Sequence, residues 1–157
     1  MRKSLIDSGA LEPKGQSAAW LDVGRVAQVQ VTSEDSDYPV ESVFSSGKSH
    51  GWRAGVGGEQ TIRLIFDQPQ CLKRIWLRFE ETGVDRTQEF ALRWSPGRDG
   101  RRQEIVRQQW NFSPGGSMNE SEDYSVDLKD VWLLELTIIP DLNRREAFAT
   151  LSEWRIA

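Results

Sequence analysis

Two neighbouring stretches of alternating apolar and polar residues, 61–67 and 72–79, constrain the fold more than any other feature of the chain. Strict alternation is typical of a β-strand that buries one face and exposes the other. A turn marked by Pro69 separates the two stretches. Two such strands in tandem favour an antiparallel sandwich over a helical bundle or a parallel sheet. On the core side of these strands we expect Ile62, Leu64, Phe66, Ile75, Leu77 and Phe79.

The rest of the chain continues this pattern of short strands and turns. The stretch 131–139 is apolar at nearly every position and predicts a central strand buried on both faces. No window predicts an amphipathic helix longer than one or two turns. The fold class we predict is therefore all-β, a jelly-roll β-sandwich of about eight antiparallel strands. Beyond the first two, the predicted strands are 27–32, 88–94, 103–112, 124–128, 131–139 and 150–156.

The length of 157 residues suits one domain, which at this size buries roughly 70% of its unfolded surface. We expect a flexible lead-in at 1–17, rich in Gly, Ser, Lys and Pro, and a single sandwich domain at 18–157.

The formal net charge of -4 argues against a nucleic-acid partner. No apolar run approaches the roughly 18 residues of a membrane-spanning helix, so we expect no membrane insertion.

The only cysteine, Cys71, excludes an intramolecular disulfide. The basic N-terminal residues are followed by only two apolar ones, so no secretory signal is expected. Both observations favour a cytoplasmic location. We expect Cys71 itself to be a small buried apolar residue.

The sequence offers little for catalysis. A single histidine excludes a multi-histidine metal site, and neither a Gly-x-Ser-x-Gly elbow nor a phosphate-cradling glycine loop is present. We therefore expect a protein that is not an enzyme, although two carboxylates that meet in space would leave glycoside hydrolysis open. We interpret the acidic segment 34–37, and likewise Glu120, Glu122 and Asp123, as solvated loop residues.

Two loops hold the first set of candidate ligand-binding residues. The Gly-rich stretch 47–59 carries His50, Trp52 and Arg53, and the loop 82–86 carries Asp85 and Arg86. His50 is either a ligand-binding side chain or an exposed loop histidine. Trp52 either anchors its loop under the sandwich or offers a stacking face to a sugar.

A second candidate surface is an Arg/Trp-rich sheet face that includes Arg107 and Trp110. If their strands are neighbours, the outward arginines and tryptophans would form one basic aromatic face that suits an anionic group or an acidic partner. The alternative is cross-strand pairing of these arginines with glutamates, which is common. The arginines are Arg63, Arg74, Arg78, Arg93 and Arg107, the tryptophans are Trp76 and Trp110, and the glutamates are Glu89, Glu104 and Glu135.

The order of motifs over about 29–157 resembles the galactose-binding-like group of β-sandwiches, the discoidin or coagulation-factor type C domains. The matching pieces are the early loop 43–47, Trp52, the strand 61–67, Pro69, the strand start 72–75 and the closing segment 151–156. Members of this group mostly bind carbohydrates, phospholipid head groups or proteins. Many hold a structural calcium through backbone carbonyls, a turn Asp and a closing Glu.

The resemblance implies that Ser45 and Glu153 occupy the calcium positions. Because Ser45 stands where the group has Asp, a hard anionic oxygen is missing, and we expect no cofactor, with a structural calcium as the alternative. The first hypothesis for function is a non-catalytic carbohydrate-binding module that works through the end loops 45–53 and 82–86. The alternative is an intracellular protein-interaction module that uses the Arg/Trp face.

Overall fold

The computed structural model describes residues 20–45, 50–97 and 99–157. The predicted lead-in at 1–17 lies outside the described residues. The elements along the chain are α1 (Val23–Val26), β1 (Ala27–Val31), a 3₁₀ helix (Val40–Phe44), β2 (Trp52–Arg53), β3 (Gln60–Glu80), β4 (Arg86–Ser95), β5 (Gln103–Phe112), β6 (Asn119–Ile139), β7 (Thr150–Leu151) and β8 (Glu153–Ile156). No helix within these described ranges is long and apolar enough to cross a membrane.

The long strands β3 and β6 pair antiparallel and connect the two layers of a sandwich. Register shifts interrupt their pairing between Ile65 and Arg74, and such bulges let a paired strand bend. On one side of the bend, β3 and β6 belong to a larger layer in the order β1-β3-β6-β4-β5. On the other side they form a smaller layer in which β8 pairs with β3.

This bend corrects two details of the predicted strand order. The predicted strands 61–67 and 72–79 are two halves of β3, and the residues around Pro69 form a corner between layers rather than a turn between paired strands. The predicted strands 124–128 and 131–139 are likewise parts of β6. Each half of β3 keeps its own alternation, and the two halves of β6 differ in pattern, alternating at 124–128 and continuously apolar at 131–139, which is why the sequence suggests separate strands.

The core lies between the layers. Phe79 of the smaller layer stacks on Phe90 of the larger layer, with 5.0 Å between ring centroids. The prediction that 131–139 is buried on both faces is confirmed, since Leu133 and Leu134 both have at most 2% of their surface exposed. All six core residues predicted in β3 are fully buried: Ile62, Leu64, Phe66, Ile75, Leu77 and Phe79.

Two burial predictions are wrong. Cys71 is exposed, because it lies at the corner of β3, where the chain leaves one layer for the other. Glu120 is buried, with 1% of its surface exposed. It belongs to β6 and not to a solvated loop, and it accepts a hydrogen bond from Nε2 of the buried Gln88 at 3.3 Å.

Candidate functional site

Five segments meet at one end of the sandwich, which we call the loop end. Backbone hydrogen bonds join them: the Asp35 amide donates to the Arg53 carbonyl at 2.9 Å, and the Gly58 amide donates to the Ala147 carbonyl at 3.2 Å. These bonds hold neighbouring segments in fixed positions. The segments of the loop end are 32–39, 50–59, 81–85, 113–118 and 140–149.

Trp52 anchors the segment 50–59. Its side chain is 1% exposed, and its Nε1 donates to the Ser33 carbonyl at 3.0 Å. The preceding Gly51 has a φ of 74°, and a Cβ there would lie 2.7 Å from the Leu151 carbonyl oxygen, so the position requires glycine. The indole offers no face to a ligand, and the structure places Trp52 in the anchoring role rather than the stacking role.

Arg86 is enclosed as well, with a side chain that is 0% exposed. Its guanidinium lies 4.7 Å from the centroid of the Phe112 ring. Burial lowers the pKa of Arg86, while the hydrogen bond to Glu81 opposes that change. Arg86 therefore joins β4 to the neighbouring segments and is not available to a ligand. The acceptors of its hydrogen bonds are Glu81 Oε1 (2.7 Å), Gln88 Oε1 (3.2 Å), the Pro140 carbonyl (3.0 Å) and Thr150 Oγ1 (3.1 Å).

Glu81 organises the loop that carries Asp85. Burial acts to raise the pKa of Glu81, but the hydrogen bond from Arg86 and those from the amides of Gly83 and Val84 hold that pKa below its ordinary value. The carboxylate is therefore ionised at neutral pH and fixes the tight turn that follows it. Asp85 is exposed in this loop.

Arg53 lies beside Arg86 and is much more open. The β2–β7 pair places Thr150 directly opposite Arg53, and the Thr150 hydroxyl is one of the acceptors for Arg86. The two predicted binding segments thus meet across Thr150. The Arg53 side chain is half-buried, with its guanidinium carbon 4.8 Å from the centroid of the Phe148 ring.

His50 extends this surface toward Tyr38. The imidazole is exposed and meets the Tyr38 ring edge-on, with 6.3 Å between centroids. Tyr38 is 38% exposed, and its carbonyl accepts the Arg53 amide at 3.3 Å. We call the four residues Tyr38, His50, Arg53 and Phe148 the Arg53 site.

Trp110 and Arg107 lie away from the Arg53 site and on opposite faces of β5. Trp110 is paired with the buried Gln88 and packs against the core. Together with Gln109, Asn111 and Ser117, it lines a depression of about 360 Å³. Arg107 points outward to glutamates on the sheet surface. The structure therefore does not bring these two predicted residues together.

The predicted Arg/Trp face is divided between two surfaces. Because β3 bends, the arginines of its second half lie on the outer side of the smaller layer, opposite those of the larger layer. Cross-strand pairing with glutamates, the alternative interpretation, is confirmed. The cross-strand pairs with the three named glutamates are Arg63–Glu135 (2.7 Å), Arg107–Glu89 (2.8 Å) and Arg93–Glu104 (3.5 Å). Arg107 also pairs with Glu104 within β5 (2.9 Å), and on the smaller layer Arg74 pairs with Asp123 (2.7 Å) and Arg78 with Glu153 (3.4 Å).

The residues at the implied calcium position do not fit a cation. Arg155 donates from one guanidinium nitrogen to the Ser45 carbonyl at 3.1 Å and to Glu153 Oε2 at 2.9 Å. Arg78 donates to the other oxygen of Glu153 at 3.4 Å. The carboxylate that would ligate calcium is therefore occupied by two positive charges. In the described residues no group of three or more His, Cys, Asp or Glu side chains could hold a metal ion.

Sequence reasoning missed three residues of the loop end: Tyr38, Phe148 and Thr150. Tyr38 is the only aromatic residue of the polar segment 33–39, and an aromatic ring in such a segment is a usable signal. Phe148 and Thr150 reach Arg53 only through the β2–β7 pair. No local pattern predicts that pair, because each strand has two residues.

Comparison with known proteins finds similarity in structure only. No protein-family model and no curated protein matches the sequence. A family 32 carbohydrate-binding module from Clostridium perfringens NanJ, solved with galactose, aligns with a TM-score of 0.64 and 11% identity over 87% of this chain and 96% of that one. The third family 32 module of a C. perfringens family 31 glycoside hydrolase aligns with a TM-score of 0.65 and 15% identity over 92% and 98% of the two chains.

A third similar structure carries an acidic sugar. The family 32 module of AlyQ, solved with 4,5-unsaturated mannuronic acid, aligns with a TM-score of 0.62 and 16% identity over 84% of this chain and 95% of that one. At such identities the likeness concerns the fold. The described chain has the galactose-binding-like β-sandwich fold of these modules.

Proposed function

We propose that this protein is a non-catalytic carbohydrate-binding module and that the Arg53 site is its binding site. The observation that carries the proposal is the side-chain set at the loop end. Aromatic rings at Tyr38 and Phe148 lie beside the nitrogen donors of His50 and Arg53. Aromatic faces supply contact area to the apolar face of a sugar ring, and a few fixed donors orient its hydroxyls.

The similar structures support the same proposal. Modules of this shape hold sugars as different as galactose and unsaturated mannuronic acid. The fold accordingly leaves the charge and identity of the sugar to the side chains of the individual protein. Within the part of the chain that the structure describes, no member of the Arg53 site takes part in an ion pair with another side chain. The partner we expect is a carbohydrate.

Isothermal titration calorimetry with a panel of neutral and acidic mono- and disaccharides tests this function. We expect at least one sugar to bind, and His50→Ala and Tyr38→Ala to weaken that binding by about tenfold or more, since each removes a ligand contact of roughly 1.4 kcal/mol. Gln109→Ala, at the depression beside Trp110, is the matched control and keeps wild-type affinity. Absence of binding across the panel at millimolar concentrations contradicts the function. Loss with Gln109→Ala in place of His50→Ala would instead move the site to β5.

A further inference from the structure

Arg53 differs from the other half-buried arginines of this protein. Among the described residues, nine arginines form an ion pair with a carboxylate: Arg63, Arg74, Arg78, Arg86, Arg93, Arg102, Arg107, Arg145 and Arg155. The described arginines without such a pair are Arg25, Arg53, Arg101 and Arg144. Three of these four are exposed to water, and Arg53 alone of them is half-buried.

A guanidinium that is partly withdrawn from water has lost part of its hydration, and a charged acceptor stabilises its positive charge more strongly than a neutral one does. Three carboxylates in the loop-end segments that adjoin the segment of Arg53 have partners in their own loops. Asp35 Oδ1 accepts the Asp37 amide at 3.0 Å, and Glu34 Oε1 accepts the Val40 amide at 2.9 Å. Asp141 pairs with Arg145 at 2.7 Å. Within the described chain, the fork of donors on Arg53 therefore has no carboxylate acceptor.

The surroundings also hold Arg53 in position. The Phe148 ring lies beneath its guanidinium, and stacking on an aromatic face restricts a long side chain and leaves its in-plane donors free. The guanidinium groups of the buried Arg86 and of Arg53 repel each other, so Arg86 adds positive potential on the protein side of Arg53. Both features favour an anion at the open edge of the Arg53 fork.

We infer that the Arg53 site selects an acidic sugar, a uronic acid whose carboxylate accepts two hydrogen bonds from the Arg53 guanidinium. This inference rests on the proposed carbohydrate-binding function and narrows its ligand class. Arginine and carboxylate are matched in geometry, because two parallel N–H donors meet two coplanar oxygens. The sugar ring then lies against Phe148 and Tyr38, and His50 contacts a hydroxyl.

Pairs of sugars that differ only at C6 test the inference on the full chain. Calorimetry compares galacturonic with galactose, glucuronic with glucose and mannuronic with mannose, and galactose 6-sulfate provides a second type of anion. We expect the uronic acid of at least one pair to bind about tenfold or more tighter than its neutral partner, which corresponds to one charge-assisted interaction. Arg53→Gln abolishes this preference and Arg53→Lys retains part of it. Arg101→Gln, an exposed arginine on the β4–β5 loop, leaves the preference unchanged.

The outcomes separate this inference from the broader function. Binding of neutral and uronic sugars with equal affinity overturns the acidic-sugar inference and leaves the carbohydrate function in place. A preference for the sulfate without one for a uronic acid also overturns it. No binding of any sugar overturns both. A uronate preference that survives Arg53→Gln shows that another residue carries the selectivity and contradicts the assignment to Arg53.

Discussion

Arg86 and Arg53 are close in space, yet their side chains have different roles. The donors of Arg86 reach a carboxylate, a side-chain amide, a carbonyl and a hydroxyl that come from three separate parts of the chain. Such a group stabilises the folded state only while all of its partners remain in place. Arg53 has the Phe148 ring beneath it, and no carboxylate of the described residues pairs with its guanidinium. The first residue is structural and the second is suited to a ligand.

Replacement of Arg86 is expected to destabilise the protein strongly. Arg86→Ala leaves Glu81 without its ion pair and Gln88, Pro140 and Thr150 without a donor, and breaking a buried pair in this way typically costs about 3–5 kcal/mol. Chemical denaturation monitored by tryptophan fluorescence measures the free energy of unfolding. Arg107→Ala, which removes an exposed arginine from two surface pairs, is the matched control and has a much smaller effect. Equal effects of the two substitutions would contradict the structural role of Arg86.

The sequence could identify these two arginines as candidates but could not tell them apart. Both lie in predicted loops, and both belong to Gly- or Asp-containing segments. What separates them is the position of residues more than fifty positions away, such as Pro140 for Arg86 and Phe148 for Arg53. The sequence likewise left Trp52 open between an anchoring and a stacking role, and its burial beneath the segment 50–59 decides for the anchor.

At the scale of the element, β6 places acidic residues on the inner side of a sandwich. The alternation of β6 continues back to Glu120, so that Glu120, Glu122 and Tyr124 share the side that faces β4 and β5. Gln88 and Gln108 bond the two carboxyl groups. Burial, and next the hydrogen bond and charge of Glu122, raise the pKa of Glu120 to about 8. Burial, together with the same two carboxyl groups, also raises the pKa of Tyr124.

This cluster makes stability depend on pH in a defined direction. The folded protein holds the Glu120 proton up to about pH 8, whereas the unfolded chain releases it near the ordinary value of 4.5. The folded state therefore binds more protons between these values, and the contribution of Glu120 to the free energy of unfolding is complete below pH 4.5 and is lost as the pH rises through 8. Glu120→Gln keeps the shape and removes the titration. We expect the variant to lose less stability than the wild type between pH 5 and 9.

Thermal unfolding, followed by circular dichroism at a series of pH values, measures how the stability of each protein changes with pH. Glu59→Gln, a change at an exposed loop residue, is the control and retains the wild-type pH dependence. An identical pH dependence of stability for wild type and Glu120→Gln would show that Glu120 is already ionised in the folded protein and would contradict the buried acid pair.

Sequence reasoning missed this cluster because acidic residues after a Gly-rich turn predict a solvated loop. Only the continued alternation at 120, 122 and 124 signals a strand.

At the scale of the whole molecule, the sequence predicted the all-β class and the inner faces of its strands. Alternation is a local property of each strand, and it survives wherever the strand lies. The assignment of strands to layers is not local, since it depends on the bulges at 65–74 of β3 and on their partners in β6. For the same reason the Arg/Trp face, predicted as one surface, is divided between two sides of the sandwich. The loop end could be located from the sequence, and the contacts that select Arg53 could not.

The closure of the sandwich also involves an arginine in place of a metal. Arg155 joins the early loop to the last strand, because a single guanidinium nitrogen bonds both the Ser45 carbonyl and the Glu153 carboxylate. A side chain that bridges these groups supplies the positive charge that the resemblance assigns to calcium. We expect the midpoint of thermal unfolding to be unchanged by millimolar calcium chloride or by a chelator. A ligand bound only to the folded state at 100 times its dissociation constant would add about 2.7 kcal/mol and raise that midpoint.

Substitution of Arg155 tests directly whether this side chain bridges Ser45 and Glu153. Arg155→Ala leaves the Glu153 carboxylate with Arg78 alone and removes the tie to Ser45, so we expect the free energy of unfolding to fall by about 1.5–3 kcal/mol, the range for hydrogen bonds to charged groups. Arg25→Ala, an exposed arginine without an ion pair in the described chain, is the control and has little effect. Differential scanning calorimetry of the wild type and of Arg155→Ala, with and without calcium, gives the midpoint of thermal unfolding in each case. A midpoint that rises with calcium in the wild type contradicts the bridge, because the cation would have to displace Arg155 from Glu153.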